Sequence, residues 1–363
     1  MKLHALEGAE FAYGNTRLRA RKSGLLGAPD YESLLGLDLD GLLGALATTA
    51  YAPDVEAALP RFHGVGRLHE AVRLHLARML SELRGFYEGA ARGLVDLLLS
   101  AWDVRNLVTM IRGQAARAPV EEVVSLIIPF GRLDEASARE VARQPEFAAA
   151  VQLLVAWRLP TSEDAQALAE AWPAYERSAD LAALEHALVA AHTTRVFATL
   201  EHSGAEAEPL RAVLREEMND RNVLIALRLR ETAGEEEVAR PRAGDPFLPG
   251  GSVPGETLAA ATLGPSRDDV AAAVRVLRSM ERLHDPLERW ARSGDLVALQ
   301  GDIEAARAHA RIGLFATGDP LSVAIPIAFV AAKETEARNL RLLGEGAAAG
   351  LDPILVRPQL VIA

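Results

Sequence analysis

The sequence predicts an all-α protein made of three similar helical modules, and three observations lead to this prediction. Half of the residues are hydrophobic but only 5% are aromatic, and the apolar residues are mostly Ala, Leu and Val, a mixture that favours helices over strands. Apolar residues recur at helical spacing and do not alternate along strand-like runs. One dipeptide, Arg-Asn, recurs at intervals of 116 and 117 residues.

Three long helices are predicted from the apolar pattern. From Leu68 to Leu83 the apolar side chains follow the spacing i, i+4, i+8, i+11, i+15, which marks one face of an amphipathic helix. A second such helix is predicted from Leu181, and a weaker, alanine-rich third from Leu296 to Phe315. Each is followed by a helix break: Gly85, Ser203-Gly204 and Thr317-Gly318.

The Arg-Asn pairs mark three copies of one repeat of about 117 residues. They are Arg105-Asn106, Arg221-Asn222 and Arg338-Asn339. An acidic or amide residue stands two places before each arginine: Asp103, Asn219 and Glu336. A second arginine follows the first by seven places in two copies, as Arg112 and Arg228, and Glu345 replaces it in the third.

The repeat defines a domain organisation. The predicted modules are residues 1–133, 134–250 and 251–363. Solenoids of two-helix repeats have periods of roughly 34 to 47 residues, so three bundles of this size are expected to surround a common pseudo-threefold axis. Residues 232–256, rich in Glu, Pro and Gly, are expected to form a mobile loop, as a linker between modules rather than as a binding loop.

The repeated asparagines require a tertiary explanation, because asparagine is a poor residue inside a helix. The structural interpretation is that each amide bonds a neighbouring loop or helix end, with the acidic residue facing the asparagine three places on. The alternative is a polar ligand site. We favour the structural interpretation, since a catalytic site is rarely repeated three times. The proposed structural anchors are the six residues Arg105, Asn106, Arg221, Asn222, Arg338 and Asn339.

Charge and composition exclude several functions. The net charge of −11 and the few aromatic residues disfavour nucleic-acid binding, which needs a basic surface and stacking side chains. Without cysteine there is no disulfide framework, thiol nucleophile or thiolate metal site. None of the three lysines, Lys2, Lys22 and Lys333, follows glycine as a phosphate-binding P-loop requires.

No catalytic, metal or cofactor site is expected. The stretch Asp38 to Gly41 resembles the start of a calcium loop, but Thr49 stands where that loop needs glutamate. His63, His69 and His75 are six residues apart, whereas zinc ligands on one helix face are three or four apart. His186 and His192 repeat the same unsuitable spacing, and no Gly-x-Ser-x-Gly nucleophile motif is present.

No membrane-spanning segment or signal peptide is expected either. The first twenty residues carry charges throughout and lack an apolar core. The longest apolar run, from Val323 to Ala332, is interrupted by Pro326 and is shorter than the roughly 20 residues that a bilayer requires.

Three sequence elements resemble a known family. They run from Phe11 to Arg19 (Phe-Ala-Tyr-Gly-Asn-Thr-Arg-Leu-Arg), from Asp103 to Leu107 (Asp-Val-Arg-Asn-Leu) and from Lys333 to Arg341 (Lys-Glu-Thr-Glu-Ala-Arg-Asn-Leu-Arg). In this order and at these intervals they resemble the C subunit of the V-type and A-type rotary ATPases, the counterpart of the eukaryotic d subunit. The resemblance extends over the whole chain.

This resemblance implies a non-catalytic central-stalk socket without a cofactor or a small-molecule substrate. Its fold would be a funnel of three helical domains seated on the cytoplasmic face of the membrane, against the proteolipid ring. The central shaft subunits would plug into it, and it would transmit torque for ATP-driven ion transport or ATP synthesis. Stiff Ala- and Leu-rich helices suit this role, and the negative net charge would favour a basic shaft foot.

Two alternatives remain open at the level of the sequence. The first is a generic all-α scaffold that binds another protein. The second is an all-α enzyme whose site carries no recognisable motif, and it would require one convergent pocket that breaks the likeness of the three repeats.

Overall fold

The structure, a computed structural model, describes residues 9–60, 62–130, 132–238, 246–277 and 280–362. The chain is 76% helical, and the described residues contain no strand. Their one isolated bridge is antiparallel, between Phe130 and Leu133. The prediction of an all-α fold is therefore confirmed.

The α-helices of the described residues are numbered in chain order. They are α1 Ala9–Lys22, α2 Ala28–Leu34, α3 Leu39–Leu46, α4 Ala52–Ala58, α5 Gly64–Arg84, α6 Gly89–Leu99, α7 Ala101–Ala115, α8 Val120–Leu126, α9 Glu135–Ala142, α10 Phe147–Trp157, α11 Ser162–Ser178, α12 Leu181–Glu201, α13 Glu208–Val238, α14 Gly255–Ala261, α15 Arg267–Arg275, α16 His284–Ser293, α17 Leu296–Thr317, α18 Ala324–Ala348 and α19 Pro353–Val356. Short 3₁₀ turns cover Ala205–Ala207, Glu281–Leu283 and Arg357–Gln359.

The three predicted long helices are confirmed as α5, α12 and α17. The apolar stripe of α5, from Leu68 to Leu83, is buried. Helix α5 ends at Arg84, directly before the predicted break at Gly85, and α17 ends at Thr317. The Arg-Asn pairs lie downstream of these breaks: the first on α7, the second α-helix after Gly85, and the other two on α13 and α18, the first α-helices after their breaks.

Short polar side chains begin several of the shorter helices. Asp38 caps α3 by accepting a hydrogen bond from the Gly41 amide at 2.8 Å, so the calcium-like stretch is a helix start. Asp134 caps α9 in the same way, through the Ser137 amide at 2.8 Å.

The chain divides into two compact units. Unit 1 comprises Met1–Leu188 and Ile312–Ala363, and unit 2 comprises Val189–Arg311. Within unit 1, apolar residues of α7 to α12 share one buried cluster that includes Leu107, Ile111 and Leu184. Within unit 2, a second cluster joins α13 to α17 around Leu227 and Trp290. The division into modules 1–133, 134–250 and 251–363 remains a prediction.

The expected loop at residues 232–256 is shorter than predicted. Helix α13 continues through residues 232–238, and α14 starts at Gly255. Glutamate, which is common in this stretch, is a good helix former, so the charged composition does not end the helix. The part of the predicted loop at residues 239–245 lies outside the described residues. Among the described residues, no helix has the length and apolar character needed to cross a membrane.

Candidate functional site: asparagine anchors and repeated helix contacts

Each asparagine of the Arg-Asn pairs holds both backbone polar groups of a single downstream residue. The side-chain Nδ2 donates to that residue's carbonyl oxygen, and the side-chain Oδ1 accepts from its amide. The two distances are 2.7 and 3.1 Å for Asn106 with Ile128, 2.9 and 2.7 Å for Asn222 with Leu248, and 2.7 and 3.0 Å for Asn339 with Val361.

These amide contacts fasten a non-helical segment to the helix that precedes it. The three asparagines are at most 2% exposed, and their partners are buried apolar residues 22 to 26 positions later. The partners lie outside the helices, so their backbone groups have no helical hydrogen bonds to join. Each hydrogen bond of this kind contributes roughly 0.5–1.5 kcal/mol, and leaving a buried backbone group unpaired costs about 1–3 kcal/mol.

The other two asparagines of the chain are also buried and bonded. Asn15 donates to the carbonyl oxygens of Pro320 and Ser322 at 2.8 and 2.9 Å and accepts from the Tyr87 hydroxyl at 2.7 Å. Asn219 accepts from the Ser252 amide at 2.9 Å and donates to the Ser252 hydroxyl at 2.9 Å. Asparagine in this chain therefore serves to hold backbone or side-chain groups of distant segments.

The residues two places before each arginine do not follow the expected pattern. Asn219 bonds Ser252 and not Asn222. Glu336 accepts from the Leu26 amide at 2.8 Å and from Lys333, and not from Asn339. Neither residue is hydrogen-bonded to the asparagine that it was expected to face three places on, because each bonds other partners instead.

The three repeated arginines have unlike surroundings. Arg105 donates to Glu334 of α18 at 2.9 Å and lies over the Trp102 ring. Arg221 donates to Glu217 at 2.6 Å, one turn earlier on its own helix. Arg338 is half-buried on α18. The geometry common to the three copies is therefore that of the asparagines.

The Arg-Asn helices pack against the long helices in a regular order. Hydrogen bonds join α7 of the first copy to α12 of the second, and α13 of the second to α17 of the third. Helix α18 of the third copy contacts α5 of the first. Residues at equivalent positions are buried in each pair: Ile111 and Leu184 share one cluster, Leu227 and Leu299 share another, and Gly344 lies against Leu68.

Helices α18 and α5 approach each other closely at Gly344. A Cβ atom there would come within 2.4 Å of Leu68 Cδ2, and Leu68 is fully buried. The other two copies have Ile111 and Leu227 at this position. Glycine in the third copy thus permits α18 to approach α5 closely.

A polar contact recurs one residue after these apolar positions in each helix pair. In the third pair the acidic and basic residues have changed places between the two helices. Arg112 donates two hydrogen bonds to Glu185 at 2.7 and 2.6 Å, and Arg228 donates to Gln300 at 2.6 Å. In the third pair the acid is on the Arg-Asn helix, where Glu345 lies 3.2 Å from His69 Nε2 on α5. The departure of Glu345 from the repeat is matched by a compensating change at His69.

A buried polar cluster joins α5 to α18. Lys333 Nζ donates to Glu336 Oε1 at 2.5 Å and lies 3.1 Å from His75 Nε2. His75 Nδ1 lies 2.9 Å from Asp54 Oδ2, and the Tyr51 hydroxyl donates to Glu336 at 2.6 Å. All five residues are at most 6% exposed.

Burial and partners shift the titration of this cluster. Burial, followed by the nearby Lys333 charge, lowers the pKa of His75, although Asp54 opposes that shift. Burial also raises the pKa of Tyr51. Burial favours neutral Asp54, but hydrogen bonds from His75 and Arg78 outweigh it and lower the pKa of Asp54.

A second buried ion pair supports the Asn106 anchor. Arg73 donates to both oxygens of Glu70 at 2.7 Å, and the two side chains are at most 2% exposed. The same guanidinium donates to the Ile127 carbonyl at 3.0 Å. Arg73 and Asn106 thereby hold consecutive residues, Ile127 and Ile128, from two different helices.

Unit 2 contains a fully buried carboxylate on α13. Asp220 is 0% exposed and accepts a hydrogen bond from Arg282, and Arg307 lies 3.8 Å from its Oδ2 atom. Burial raises the pKa of Asp220 to about 6, against the opposing effect of Arg282 and Arg307. Nearby, Glu217 accepts from Arg311 of α17 at 2.7 Å.

The evenly spaced histidines do not come together. His63 directly precedes α5, His69 faces Glu345, and His75 belongs to the buried cluster. Within the described ranges, no group of three or more His, Asp or Glu side chains is arranged to hold a metal ion.

The model of the family described as ATP synthase (C/AC39) subunit matches residues 14–358, nearly the whole chain. The chain belongs to this family. It is therefore a non-catalytic subunit of a V-type or A-type ATP synthase complex, in agreement with the resemblance noted in the sequence. Such membership implies contacts with other subunits of the complex.

Two relatives match the chain over nearly their whole length. The chain is 28% identical to the C subunit of the A-type ATP synthase from Haloferax volcanii, over 98% of both chains. It is 26% identical to the corresponding subunit from Halorubrum lacusprofundi, over 96% of this chain and 97% of the relative. A shorter match, to the same subunit from Archaeoglobus fulgidus, is 31% identical over 35% of this chain.

The sequence alone did not reveal the buried cluster of α5 and α18. One signal was available, because this chain has only three lysines and one of them, Lys333, begins the C-terminal family-like element. A lysine in an otherwise apolar helix start suggests a paired, buried cation. Its partner His75 is 258 residues away in the sequence, which no local pattern reveals.

Proposed function

We propose that this chain is the central-stalk socket of a rotary V-type or A-type ATPase or ATP synthase. It would receive the central shaft subunits, rest on the proteolipid ring at the cytoplasmic face of the membrane, and transmit torque between them. The proposal deepens the family assignment, which itself rests on the match over residues 14–358.

The observation that carries this proposal is the cyclic order of the helix contacts. The first copy contacts the second, the second contacts the third, and the third contacts the first, and a polar pair at equivalent positions joins them each time. A linear array of repeats would leave the first and last copies without a contact. The cyclic order supports three modules around a pseudo-threefold axis, which is the arrangement a socket requires.

The buried anchors support a stiff socket. A part that transmits torque must resist sliding of its helices, and each copy fastens its final segment by a doubly bonded asparagine. Mutually supporting hydrogen bonds to buried backbone groups resist local opening more strongly than exposed ion pairs do. We propose the six Arg-Asn residues as structural repeat anchors, with the asparagines as the principal members.

Reconstitution tests the socket role directly. Proteolipid rings in vesicles would be mixed with the soluble motor and its shaft subunits, with or without this chain. The chain should retain the shaft on the vesicles and restore ATP-driven uptake of protons or sodium ions. ATP hydrolysis by the detached soluble motor serves as the control and should not require the chain.

Two results would overturn the proposal. A chain that binds neither shaft nor ring would instead be a scaffold for other proteins. A chain that binds both, but whose omission leaves pumping intact, would not be the torque-transmitting connection.

A further inference from the structure

The contact between α5 and α18 differs chemically from the two equivalent contacts of the repeat. Arginine with glutamate, and arginine with glutamine, occupy the recurring polar position in the α7–α12 and α13–α17 pairs. Arginine keeps its charge throughout the physiological pH range. In the α5–α18 pair the same position is His69 with Glu345, and histidine changes charge between pH 5 and 8.

The hydrogen-bond partners define the protonation state of His75. Lys333 is paired with Glu336 at 2.5 Å, so its ammonium can only donate. Because Lys333 Nζ lies 3.1 Å from His75 Nε2, that ring nitrogen must be an acceptor and carry no proton. Nδ1 lies 2.9 Å from Asp54 Oδ2 and 3.1 Å from Arg78 Nη2, and of these two only the carboxylate can accept a proton, so we place the proton of the neutral ring on Nδ1, facing Asp54.

The charges around His75 balance only when the ring is neutral. Asp54 and Glu336 are the nearby anions, from α4 and α18, and Arg78 of α5 and Lys333 of α18 are the nearby cations. Tyr51 stacks on the ring with centroids 3.7 Å apart and carries no charge. A proton added to Nε2 would point at the Lys333 ammonium and leave one buried positive charge without a partner.

His69 has a similar but more open setting one and a half turns earlier on α5. Glu345 and Arg341 of α18 are the charged groups that face it. Burial of the ring, which outweighs the attraction of Glu345, lowers the pKa of His69 as well. Both histidines of the α5–α18 contact are therefore neutral at pH 7.

We propose that the α5–α18 contact is an acid-sensitive latch, closed at neutral pH and loosened when His75 and His69 take up protons. The direction of this pH effect follows from the linkage between proton binding and folding stability. The folded state binds these protons more weakly than the unfolded chain, whose histidines titrate near 6.5. The stabilisation is complete above that pH and is lost as the pH falls below it. The other two helix pairs, which lack a histidine at this position, should stay closed.

Hydrogen–deuterium exchange of the full chain tests the latch. Exchange would be compared at pH 7.5 and 5.5, with labelling times scaled for the intrinsic pH dependence of exchange. We expect peptides of α5 and α18 to exchange at least about tenfold faster at pH 5.5. Peptides of α7 with α12, and of α13 with α17, should keep their protection.

Matched variants separate the latch from general acid destabilisation. In the double variant His69→Gln/His75→Gln, each glutamine can still donate and accept but cannot be charged, so the acid response of α18 should disappear. His186→Gln on α12 removes a half-buried histidine outside the contact and should leave the response unchanged.

Several results would overturn the proposal. It fails if α18 is equally protected at both pH values, if all helices lose protection together, or if the double variant responds like the wild type. If the variant does not fold, ¹⁵N-histidine spectra of the wild type decide. A neutral ring protonated on Nδ1, titrating below the ordinary 6.5, supports the latch, and the absence of such a signal refutes it.

Discussion

A buried amide side chain can replace a missing strand partner, and the repeated asparagines do this three times. Asn106, Asn222 and Asn339 each offer one donor and one acceptor to a single backbone residue, as a neighbouring strand would. Alanine would leave a buried amide and a buried carbonyl without partners. The energetic effect at this scale is therefore set by the unpaired backbone groups rather than by the asparagine alone.

The substitution Asn222→Ala should lower the free energy of unfolding by about 2–4 kcal/mol, because both polar groups of Leu248 lose their partner. Urea denaturation followed by circular dichroism measures the change. Arg215→Ala, an exposed substitution on the same helix, is the control and should change it by less than about 0.5 kcal/mol. An unchanged unfolding midpoint for Asn222→Ala would disprove the anchoring role.

Asp220 should make unit 2 less stable as the pH rises. Its folded pKa, about 6, lies above the ordinary 3.8, so its contribution to stability is present at low pH and lost as the pH rises through 6. The difference corresponds to at most about 3 kcal/mol at pH 8. Asp220→Asn, which imitates the protonated group, should therefore raise stability at pH 8.

Denaturation of Asp220→Asn at several pH values checks this prediction. The gain at pH 8 should shrink progressively below pH 6, where the wild-type carboxyl is already protonated. Glu216→Gln is the control, since Glu216 pairs with the same Arg282 but is 44% exposed and should give little change. Destabilisation by Asp220→Asn at pH 8 would mean that the Arg282 and Arg307 interactions outweigh the cost of burial.

At the scale of helices, the chain repeats one helix–helix contact three times, with different side chains at the equivalent positions. Apolar residues provide the packing, and one polar pair beside them differs from copy to copy. The exchange of acid and base at Glu345 and His69 would place like charges together if α18 paired with α12, because Glu345 would then meet Glu185. Misassembly among similar modules is a hazard of repeat proteins, and the exchanged pair disfavours it.

A charge-exchange experiment tests the equivalence of the polar pairs. Arg112→Glu alone should destabilise unit 1 by about 1 kcal/mol, because two carboxylates then meet at a largely exposed position. Adding Glu185→His replaces one of the two facing carboxylates and should recover part of the loss at pH 6 and at pH 8. A double-mutant cycle measures this coupling, and zero coupling at both pH values would contradict it.

The sequence predicted the helices well and their distant contacts poorly. The α5 stripe was recognisable because its period is local, and Arg-Asn marked the repeat because asparagine is rare in this chain. The partner of each asparagine could not be predicted, since Ile128, Leu248 and Val361 are ordinary apolar residues of non-helical segments. The helical run of residues 232–238 was missed because its charged composition resembles that of a loop.

At the scale of the whole molecule, both ends of the described chain belong to the same compact unit. Unit 1 takes in residues up to 188 and from 312 onward, and the α5–α18 packing lies within it. Asn15 near the beginning bonds Ser322, and Arg105 pairs with Glu334, so several contacts bridge more than 200 residues of sequence. The first helices should therefore depend on the last for their stability.

A chain that ends at Val323, and thus lacks α18, tests this dependence. Helix α5 would lose the partner that covers Leu68 and His75, and burying a leucine side chain contributes about 1.5–3 kcal/mol. Hydrogen exchange in α5 should rise at least about a hundredfold. Peptides of α15 and α16, which share the apolar cluster of unit 2, provide the internal control and should stay protected. Protection of α5 in the shortened chain would show that the first copy is stable alone, which would contradict closure of the three copies through α5 and α18.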